Sequence, residues 1–509
     1  MDNQGIKEIK SVLISLFYKE PAKPLIEKLH SLNVKIYSTG GTLDYIRKLN
    51  IPATPVEDIT EYPSIFGGRV KTLHPKIFGG ILHRRDNASD LKEMELYDVP
   101  SIDMVLVDLY PFEQTVDMGA SMQDVIEKID IGGISLIRAA GKNFADTWVV
   151  PSSHYYQEAL RLIDENGALT NAAQRKQFAA YAFHISSHYD TLIFQYLTPD
   201  PDLYFKKSIE KSKTLRYGEN PHQKGFFFGD LGHVFTQLHG KEISYNNLLD
   251  IESALLLIAE FDDPTFAIIK HTNACGVATR KTIDIAYRDA LASDPVSAFG
   301  GILIANRNID QKTAYHIHEL FFEVILAPDF SPEALDILKQ KKNRIILRLT
   351  NTVHEPYQFR SILNGILIQS VNHAQTPPQS WTNATEKQPD KEMTDDLIFA
   401  NKLVKHTKSN AIVLVKNKQL IASGVGQTSR VDALKQAIAK AKDFKHTLQN
   451  AVMASDAFFP FADSVEIANS EGIKAVIQPG GSVRDKDSVD FCNKNDMVMV
   501  FTGVRHFKH

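Results

Sequence analysis

The run Phe266-Ala-Ile-Ile-Lys270-His271-Thr-Asn273-Ala-Cys275-Gly276 constrains this chain more than any other. Four consecutive apolar residues read as a short strand covered on both faces, as in the middle of a parallel sheet. The carboxyl end of such a strand opens on the crevice where α/β proteins hold ligands. Here that end carries Lys270, a fixed cation, and His271, which exchanges a proton near neutral pH. A Lys-His pair by itself is most often a solvated strand end. Its weight comes from the partners that the rest of the chain supplies.

A length of 509 residues implies two to four domains. The apolar and charged fractions, 43% and 23%, are those of an ordinary soluble protein with a core of good size. A net charge of −4 provides no pull toward nucleic acid or an anionic membrane. Two cysteines, Cys275 and Cys492, cannot build a disulfide scaffold, which fits a reducing compartment. The first residues lack an apolar signal core, and no apolar run approaches the ~18 residues of a membrane span. The expected location is the cytoplasm.

The first 150 residues alternate strand and helix signals. Strands are expected at Val12–Ser15, Val34–Ser38, Met104–Val107 and Trp148–Val150, and helices at Pro24–Leu32, Leu43–Leu49 and Met122–Ile129. That order implies a parallel sheet with right-handed crossovers. A long amphipathic helix over Gln174–Tyr196 closes the first domain. Thr198-Pro-Asp-Pro-Asp202 and the lysine-rich Lys206–Lys213 mark the boundary, giving domains 1–200 and 201–509. The second domain also alternates, with helices at Asp250–Phe261, Ile283–Ala292, Leu397–Lys405 and Val431–Lys442 and a strand at Ala411–Val415. The apolar-poor stretch 372–392 reads as a loop or joint between two halves. A faint echo, Ala292-Ser-Asp-Pro against Ala454-Ser-Asp-Ala, fits two related halves and also fits chance.

In the first domain, Ser38-Thr39-Gly40-Gly41-Thr42 joins a strand to a helix start. Its glycines let the backbone curl, free N–H groups attract a phosphate, and the hydroxyls add donors. Gly67-Gly68-Arg69-Val70-Lys71-Thr72-Leu73-His74-Pro75 alternates two cations on one side of an extended segment, which suits an anionic ligand or an exposed basic edge. Asp108-Leu-Tyr110-Pro-Phe112, Ile129-Asp130-Ile131-Gly132-Gly133 and Lys142 add a phenol, carboxylates and an ammonium group. Lys71, Tyr110, Asp130 and Lys142 together suit an addition–dehydration without metal, in which cations hold an oxyanion and a proton relay removes water.

These motifs resemble the inosine monophosphate cyclohydrolase domain. The resemblance implies a methylglyoxal-synthase-like α/β fold that closes formyl-AICAR to IMP. It implies a phosphate turn at Ser38–Thr42 and catalytic and ring-binding positions at Arg69, Lys71, Thr72, Tyr110, Asp130 and Lys142, beside Gly132 and Gly133. Near the first strand the family usually has Ser-Val-Ser-Asp-Lys-Thr-Gly. This chain has Ser15-Leu-Phe17-Tyr18-Lys19-Glu-Pro21, so Ser15 and Lys19 survive and the second serine and the aspartate do not.

The second domain opens with Arg216-Tyr217 before a Gly and an Asn-Pro turn. Beyond Lys270-His271-Thr-Asn273 come Lys408-Ser-Asn410, the turn Gly424-Val-Gly-Gln427-Thr-Ser-Arg430 before a helix, and Phe458-Phe-Pro-Phe461-Ala-Asp463. Ser429 suits a helix cap and Arg430 an anion in the first turn. The three aromatics read as core or as the wall of a flat ligand site. The tail Arg505-His-Phe-Lys-His509 is basic, and its bland reading is a solvated end.

Together these motifs resemble AICAR transformylase, and the resemblance to the bifunctional purine-biosynthesis family covers the chain from about residue 10 to the last residue. It implies a cytidine-deaminase-like, two-lobed second domain, although no His/Cys/Cys zinc set is present in the sequence. It also implies formyl transfer from 10-formyltetrahydrofolate, a co-substrate, to AICAR. His271 acts as base, Lys270 steadies the oxyanion or protonates the leaving nitrogen, and Asn410 holds the formyl oxygen or the folate. Phe458 and Asp463 bind the pterin. Arg216, Tyr217, Arg430, Arg505 and His509 grip the nucleotide, with Asn273 and Gln427 beside them. No metal or tightly bound cofactor is implied. The ligands are AICAR, formyl-AICAR, IMP and folate, and a homodimer is expected. The alternatives are a single-activity enzyme of the methylglyoxal-synthase type with an unrelated second half, and a nucleotide-binding regulator without chemistry.

Overall fold

The computed structural model describes residues 5–198, 204–351 and 356–509. The chain divides into two compact units, Met1–Glu210 (unit 1) and Lys211–His509 (unit 2). Residues 199–202, where the sequence places a domain boundary, lie outside the described residues.

Unit 1 is built on five parallel strands. These are β1 (Ser11–Ser15), β2 (Lys35–Ser38), β3 (Thr54–Pro55), β4 (Met104–Val107) and β5 (Trp148–Val150), in the order β3-β2-β1-β4-β5. Val12, Leu13, Ile14 and all of β4 are buried because helices cover both faces. Among them are α1 (Lys23–Ser31), which buries Leu25, Ile26 and Leu29, and α2 (Gly40–Lys48). Two more are α3 (Gly132–Lys142) and α4 (Ala172–Leu197), the latter opened by a capping box of Asn171 and Gln174. The helix expected over Met122–Ile129 is shorter, Met122–Ile126. The chain runs from β1 outward to β3 and returns on the other side at β4, so β1 and β4 flank the switch point.

Unit 2 is organised around a twelve-stranded sheet. Its first half comprises β6 (Phe235–His239), α5 (Tyr245–Ile258), β7 (Thr265–Lys270), β8 (Asn273–Thr279), α6 (Ile283–Ser293), β9 (Ile302–Ala305), β10 (Val324–Ala327) and β11 (Ile345–Leu349). Its second half comprises β12 (Thr382–Asn383), α7 (Lys391–Lys405), β13 (Ile412–Lys416), β14 (Gln419–Gly424), α8 (Arg430–Asp443), β15 (Val452–Ser455), β16 (Ala475–Gln478) and β17 (Val498–Phe501). The sheet order is β6-β11-β10-β9-β7-β8-β14-β13-β15-β16-β17-β12, a palindrome about the β8/β14 pair. Each half is an edge strand, a helix, an antiparallel hairpin, a second helix and three parallel strands.

The strand expected in a parallel sheet is central, but β7 runs antiparallel to both neighbours, β8 and β9. Its burial comes instead from helices on both faces. Ala267 and Ile269 pack in the cluster that holds Ala254 and Leu257 of α5, and Phe266 and Ile268 pack with Ala286 and Tyr287 of α6. The chain reverses because His271 and Thr272 both adopt positive φ, 53° and 61°, and close a two-residue hairpin turn. The carboxylate of Asp250, on α5, accepts the Thr272 N–H at 2.6 Å and fixes that turn.

The second half repeats the device. Asn417 and Lys418 have positive φ, and Asp396 on α7 accepts both of their N–H groups at 2.7 and 2.6 Å. The echoed tetrapeptides are not the equivalent positions. Asp294 follows a helix, whereas Asp456 follows a strand. In both halves the helix after the hairpin lies almost on the strand. A Cβ on Gly276 would stand 2.0 Å from the Ala290 carbonyl oxygen, and one on Gly424 would stand 1.8 Å from that of Ala433.

The halves meet at Ala278 and Gln419. Arg280 fastens this junction. Its guanidinium donates to the Asn417 carbonyl at 2.7 Å and the Gln419 side chain at 3.0 Å, and pairs with Asp289. The stretch 372–392 is mostly irregular but supplies the edge strand β12, and Ala374 and Thr376 bond to Lys405 and Asn401 of α7.

The C-terminal segment is held rather than frayed. The Ser409 N–H donates to the Lys508 carbonyl at 2.9 Å, Lys508 N–H to the Ser409 hydroxyl at 3.0 Å, and His506 N–H to the Asp456 carbonyl at 2.9 Å. Asn372 donates to His506 Nδ1 at 3.1 Å. Burial, with Lys405 and His406 nearby, pushes the His506 imidazole down to about 4, so it is neutral.

Two outcomes follow. Gly276→Ala should lower the thermal stability of unit 2 by about 1–3 kcal/mol, because the obstacle is backbone; calorimetry checks this. For His506, a folded pKa below the unfolded value of about 6.5 means that its contribution is complete above that pH and is lost as pH falls toward about 4. Melting temperature followed from pH 7 to 4 should therefore decline less steeply in His506→Gln than in the natural chain.

Candidate active sites

In unit 1 the carboxyl ends of β1, β2 and β4 open on one edge. The hydroxyls expected to serve a ligand build the turn instead. Ser38 donates to the Ile14 carbonyl at 2.8 Å, Thr39 to Glu57 at 3.2 Å, and Thr42 to the Leu16 carbonyl at 3.1 Å while accepting Leu16 N–H at 3.0 Å. What the turn offers outward is the start of α2, where no side chain caps the helix and Gly40 takes a φ of +53°. Two cations stand over it. Lys71 Nζ lies 3.1 Å from where a Cβ on Gly40 would be, and Lys19 Cε lies 3.7 Å from one on Gly41. Helix N–H groups with two ammonium groups form an anion cradle.

Beside the cradle stands Asp130. It accepts Gly133 N–H at 2.6 Å, and a Cβ on Gly133 would come within 2.6 Å of its carboxylate, so only glycine fits. Thr72 Oγ1 lies 3.2 Å from where a Cβ on Gly132 would be. Burial raises the Asp130 carboxyl, against the pull of N–H groups from Gly133 and Tyr110 and the charge of Lys71. Burial, then the charge of Asp130, raises the Tyr110 phenol, which therefore keeps its proton.

Lys19, Gly40, Gly41, Lys71, Thr72, Tyr110, Asp130, Gly132 and Gly133 thus share one edge. Ser15 ends β1, and its carbonyl accepts Asp108 N–H at 3.3 Å. Arg69 is exposed and paired with Glu127. Lys142 is not brought to the edge: it ends α3, about 15 Å along the helix axis from Gly132. Two further neighbours stand at this edge. The buried Asp108 carboxylate accepts N–H groups of Phe17 and Tyr18 and the Tyr156 hydroxyl, and Lys128 lies 6.0 Å from the ring centres of Phe17 and Tyr110. A strand-ending Asp was visible; its partners, far away in sequence, were not.

In unit 2 the β7–β8 turn presents His271 to solvent, and Lys270 donates to the Phe299 carbonyl at 2.7 Å. Asn273 ties the halves together: its amide donates to the His271 carbonyl at 2.9 Å, and its oxygen accepts Lys408 N–H at 3.0 Å. Two residues on, Asn410 exchanges backbone hydrogen bonds with Gln427, and its side chain donates to the carbonyls of Gln427 at 2.9 Å and Thr428 at 3.2 Å. Lys270, His271, Asn273, Asn410 and Gln427 therefore surround one place.

Ser429 caps α8 by accepting Asp432 N–H at 3.1 Å. Arg430 turns inward to the fully buried Asp456 at 2.9 Å. Of the aromatic run, Phe459 is core while Phe458 and Phe461 are exposed, the latter under Arg484 at 4.9 Å. Asp463 starts a helix, Asp463–Ser470, and accepts Ser464 N–H. In the tail Arg505 lies 4.3 Å from the Phe507 ring, which in turn is 5.7 Å from that of His509. Arg216 and Tyr217 stack at 5.4 Å on a loop whose Glu219 carbonyl accepts from Asn246, one turn before Asp250 on α5.

Asp250 was read only as the start of the helix expected over Asp250–Phe261, which in the structure runs from Tyr245 to Ile258, so its role under the turn was missed. So was Glu260, whose carboxylate binds Lys405 at 2.7 Å and His406 at 2.9 Å; burial alone would raise it, but these partners bring it to about 2. Among the described residues no group of three or more His, Cys, Asp or Glu could hold a metal ion, and no helix is long and apolar enough to cross a membrane.

The sequence profile described as an MGS-like domain matches residues 22–135, and that of the AICARFT/IMPCHase bienzyme matches residues 140–440. The chain is 57% identical to the bifunctional purine biosynthesis protein PurH of Bacteroides thetaiotaomicron, over 99% of both chains. It is 44% identical to the PurH proteins of Ruminiclostridium cellulolyticum, over 98% of this chain and 100% of the other, and of Prochlorococcus marinus, over 98% and 99%. With matching profiles for both units and relatives aligned end to end, the chain belongs to the AICARFT/IMPCHase bienzyme family.

Proposed function

We propose that the two edges are two active sites worked in sequence. The chain is a bifunctional enzyme of the last two steps of IMP synthesis: it transfers a formyl group to AICAR and then closes formyl-AICAR to IMP. The observation that carries the division of labour is that each unit gathers its own polar set, Lys71, Tyr110 and Asp130 in one, Lys270, His271 and Asn410 in the other.

In unit 2 the 5-amino group of AICAR is a weak nucleophile, because the adjacent carboxamide withdraws electrons. His271 takes its proton as it attacks the formyl carbon of 10-formyltetrahydrofolate. Lys270 stabilises the oxyanion or protonates the departing folate nitrogen, and tetrahydrofolate leaves with that proton. Asn410 orients the formyl oxygen or the folate. Phe458 and Asp463 face the pterin, and Arg216, Tyr217, Arg430, Arg505 and His509 serve the nucleotide. Holding both substrates together supplies much of the rate.

In unit 1 the Gly40–Gly41 cradle with Lys19 and Lys71 holds the 5′-phosphate. The carboxamide nitrogen attacks the formyl carbon, and Tyr110 and Asp130 pass the protons that release water. Arg69 exchanges Glu127 for the ligand. Lys142, at the far end of α3 from Gly132, is the one catalytic candidate of unit 1 with no place at this edge. Folate is a co-substrate and no tightly bound cofactor takes part. The enzyme works in the cytoplasm as a homodimer. In support of pairing, the hairpin Tyr357–Ile362/Gly365–Ser370 exposes Leu363, Ile366, Leu367 and Ile368, and a lone apolar hairpin is marginal in water.

Three outcomes test the reading. With AICAR and 10-formyltetrahydrofolate, Lys71→Ala should release tetrahydrofolate at the natural rate while IMP formation falls by at least about 100-fold. His271→Ala should lose formyl transfer by about 100- to 10,000-fold and still close supplied formyl-AICAR. Leu367→Asp should move the sedimentation coefficient from dimer toward monomer; an unchanged coefficient would remove the hairpin from the interface.

A further inference from the structure

The turn after β1 reads Ser15-Leu-Phe17-Tyr18-Lys19, two aromatics side by side at a strand end. From Leu16 to Tyr18 the backbone is pinned. Thr42 holds both polar groups of Leu16, Asp108 accepts the N–H groups of Phe17 and Tyr18, and Lys19 Nζ donates to the Phe17 carbonyl at 3.1 Å. Asp108 is itself buried and held by the Tyr156 hydroxyl at 3.0 Å. The Tyr18 hydroxyl is tethered to Gln114 at 2.8 Å.

The Phe17 ring has a different situation. The residue is 36% exposed, and its ring stands edge-on to Tyr18 at 4.9 Å and to Tyr110 at 5.7 Å. Lys128 Nζ lies 6.0 Å from the centres of both the Phe17 and Tyr110 rings. A large apolar ring on a fixed backbone, presented at the edge that carries Lys19, Lys71 and Asp130, is preorganised for a planar ligand and loses little freedom on binding.

We propose that Phe17 is a ring-recognition residue of the unit 1 site. With Tyr110 it forms an aromatic corner that walls the heterocycle of the formylated nucleotide. The inference rests on reading unit 1 as the ring-closing site. Its ligand class is a flat, amide-bearing five- or six-membered heterocycle on a phosphorylated sugar.

The test uses the full chain with Phe17→Leu, which keeps apolar bulk without the ring, and Phe17→Tyr, which keeps the ring. Calorimetric binding of IMP and the kinetics of closure of supplied formyl-AICAR are measured with thermal unfolding. In Phe17→Leu the Kd for IMP and the KM for formyl-AICAR should each rise roughly 10-fold with little change in kcat. Phe17→Tyr should match the natural chain, and both variants should keep its melting temperature and its formyl transfer. Natural affinity in Phe17→Leu, equal damage in both variants, a fall in kcat at constant KM, or a melting temperature that falls with the affinity would each overturn the proposal. If the natural chain neither binds IMP nor closes formyl-AICAR, the ring-closure reading itself fails and takes this inference with it.

Discussion

Unit 2 depends on the place where its two halves meet. A single registered pair, Ala278 with Gln419, would be a weak seam between two six-stranded half-sheets. Arg280 makes it a joint, because a planar guanidinium can reach a carboxylate on its own side and a carbonyl and an amide on the other at once. A lysine, with one point charge, could not span the same set. On the opposite edge Asn273 crosses the same seam toward Lys408. The relative position of His271 and Asn410 is therefore set by the seam and not by either half.

Much of the architecture was legible in residues with local causes. Met104–Val107 and Trp148–Val150 are strands within the limits that their apolar runs suggest, since strands buried on both faces leave no polar positions to blur the pattern. The direction of Thr265–Lys270 was not legible. An apolar run records burial on two faces, and helices over an antiparallel strand produce the same run as a parallel sheet. The two central residues of the turn that reverses it are neither Gly nor Asn, so the usual turn signal was missing at His271-Thr272.

The sites were legible as residue types but not as assemblies. Lys19 and Lys71 stand 52 positions apart in sequence and reach adjacent glycines, which only the folded chain can show. Arg430 suited an anion at a helix start, and the fold supplies one of its own, the carboxylate of Asp456 just after β15. The hydroxyls of Ser38, Thr39 and Thr42 looked like ligand donors because a sequence does not reveal which carbonyls and carboxylates lie beneath a turn. Many polar groups at both edges are engaged with one another, so a substrate must replace contacts as well as make them. That favours ligands of matching charge over merely fitting ones.

The palindromic sheet gives unit 2 two candidate mouths. In the first half the hairpin turn reads Lys270-His271; in its twin it reads Lys416-Asn417, held from below by Asp396 as the first is held by Asp250. The lysine is matched, but an amide cannot shuttle a proton as an imidazole can. The duplicated framework thus keeps its symmetry in the backbone and breaks it in one side chain. The two turns therefore differ in the chemistry their side chains can offer, although one backbone design builds both.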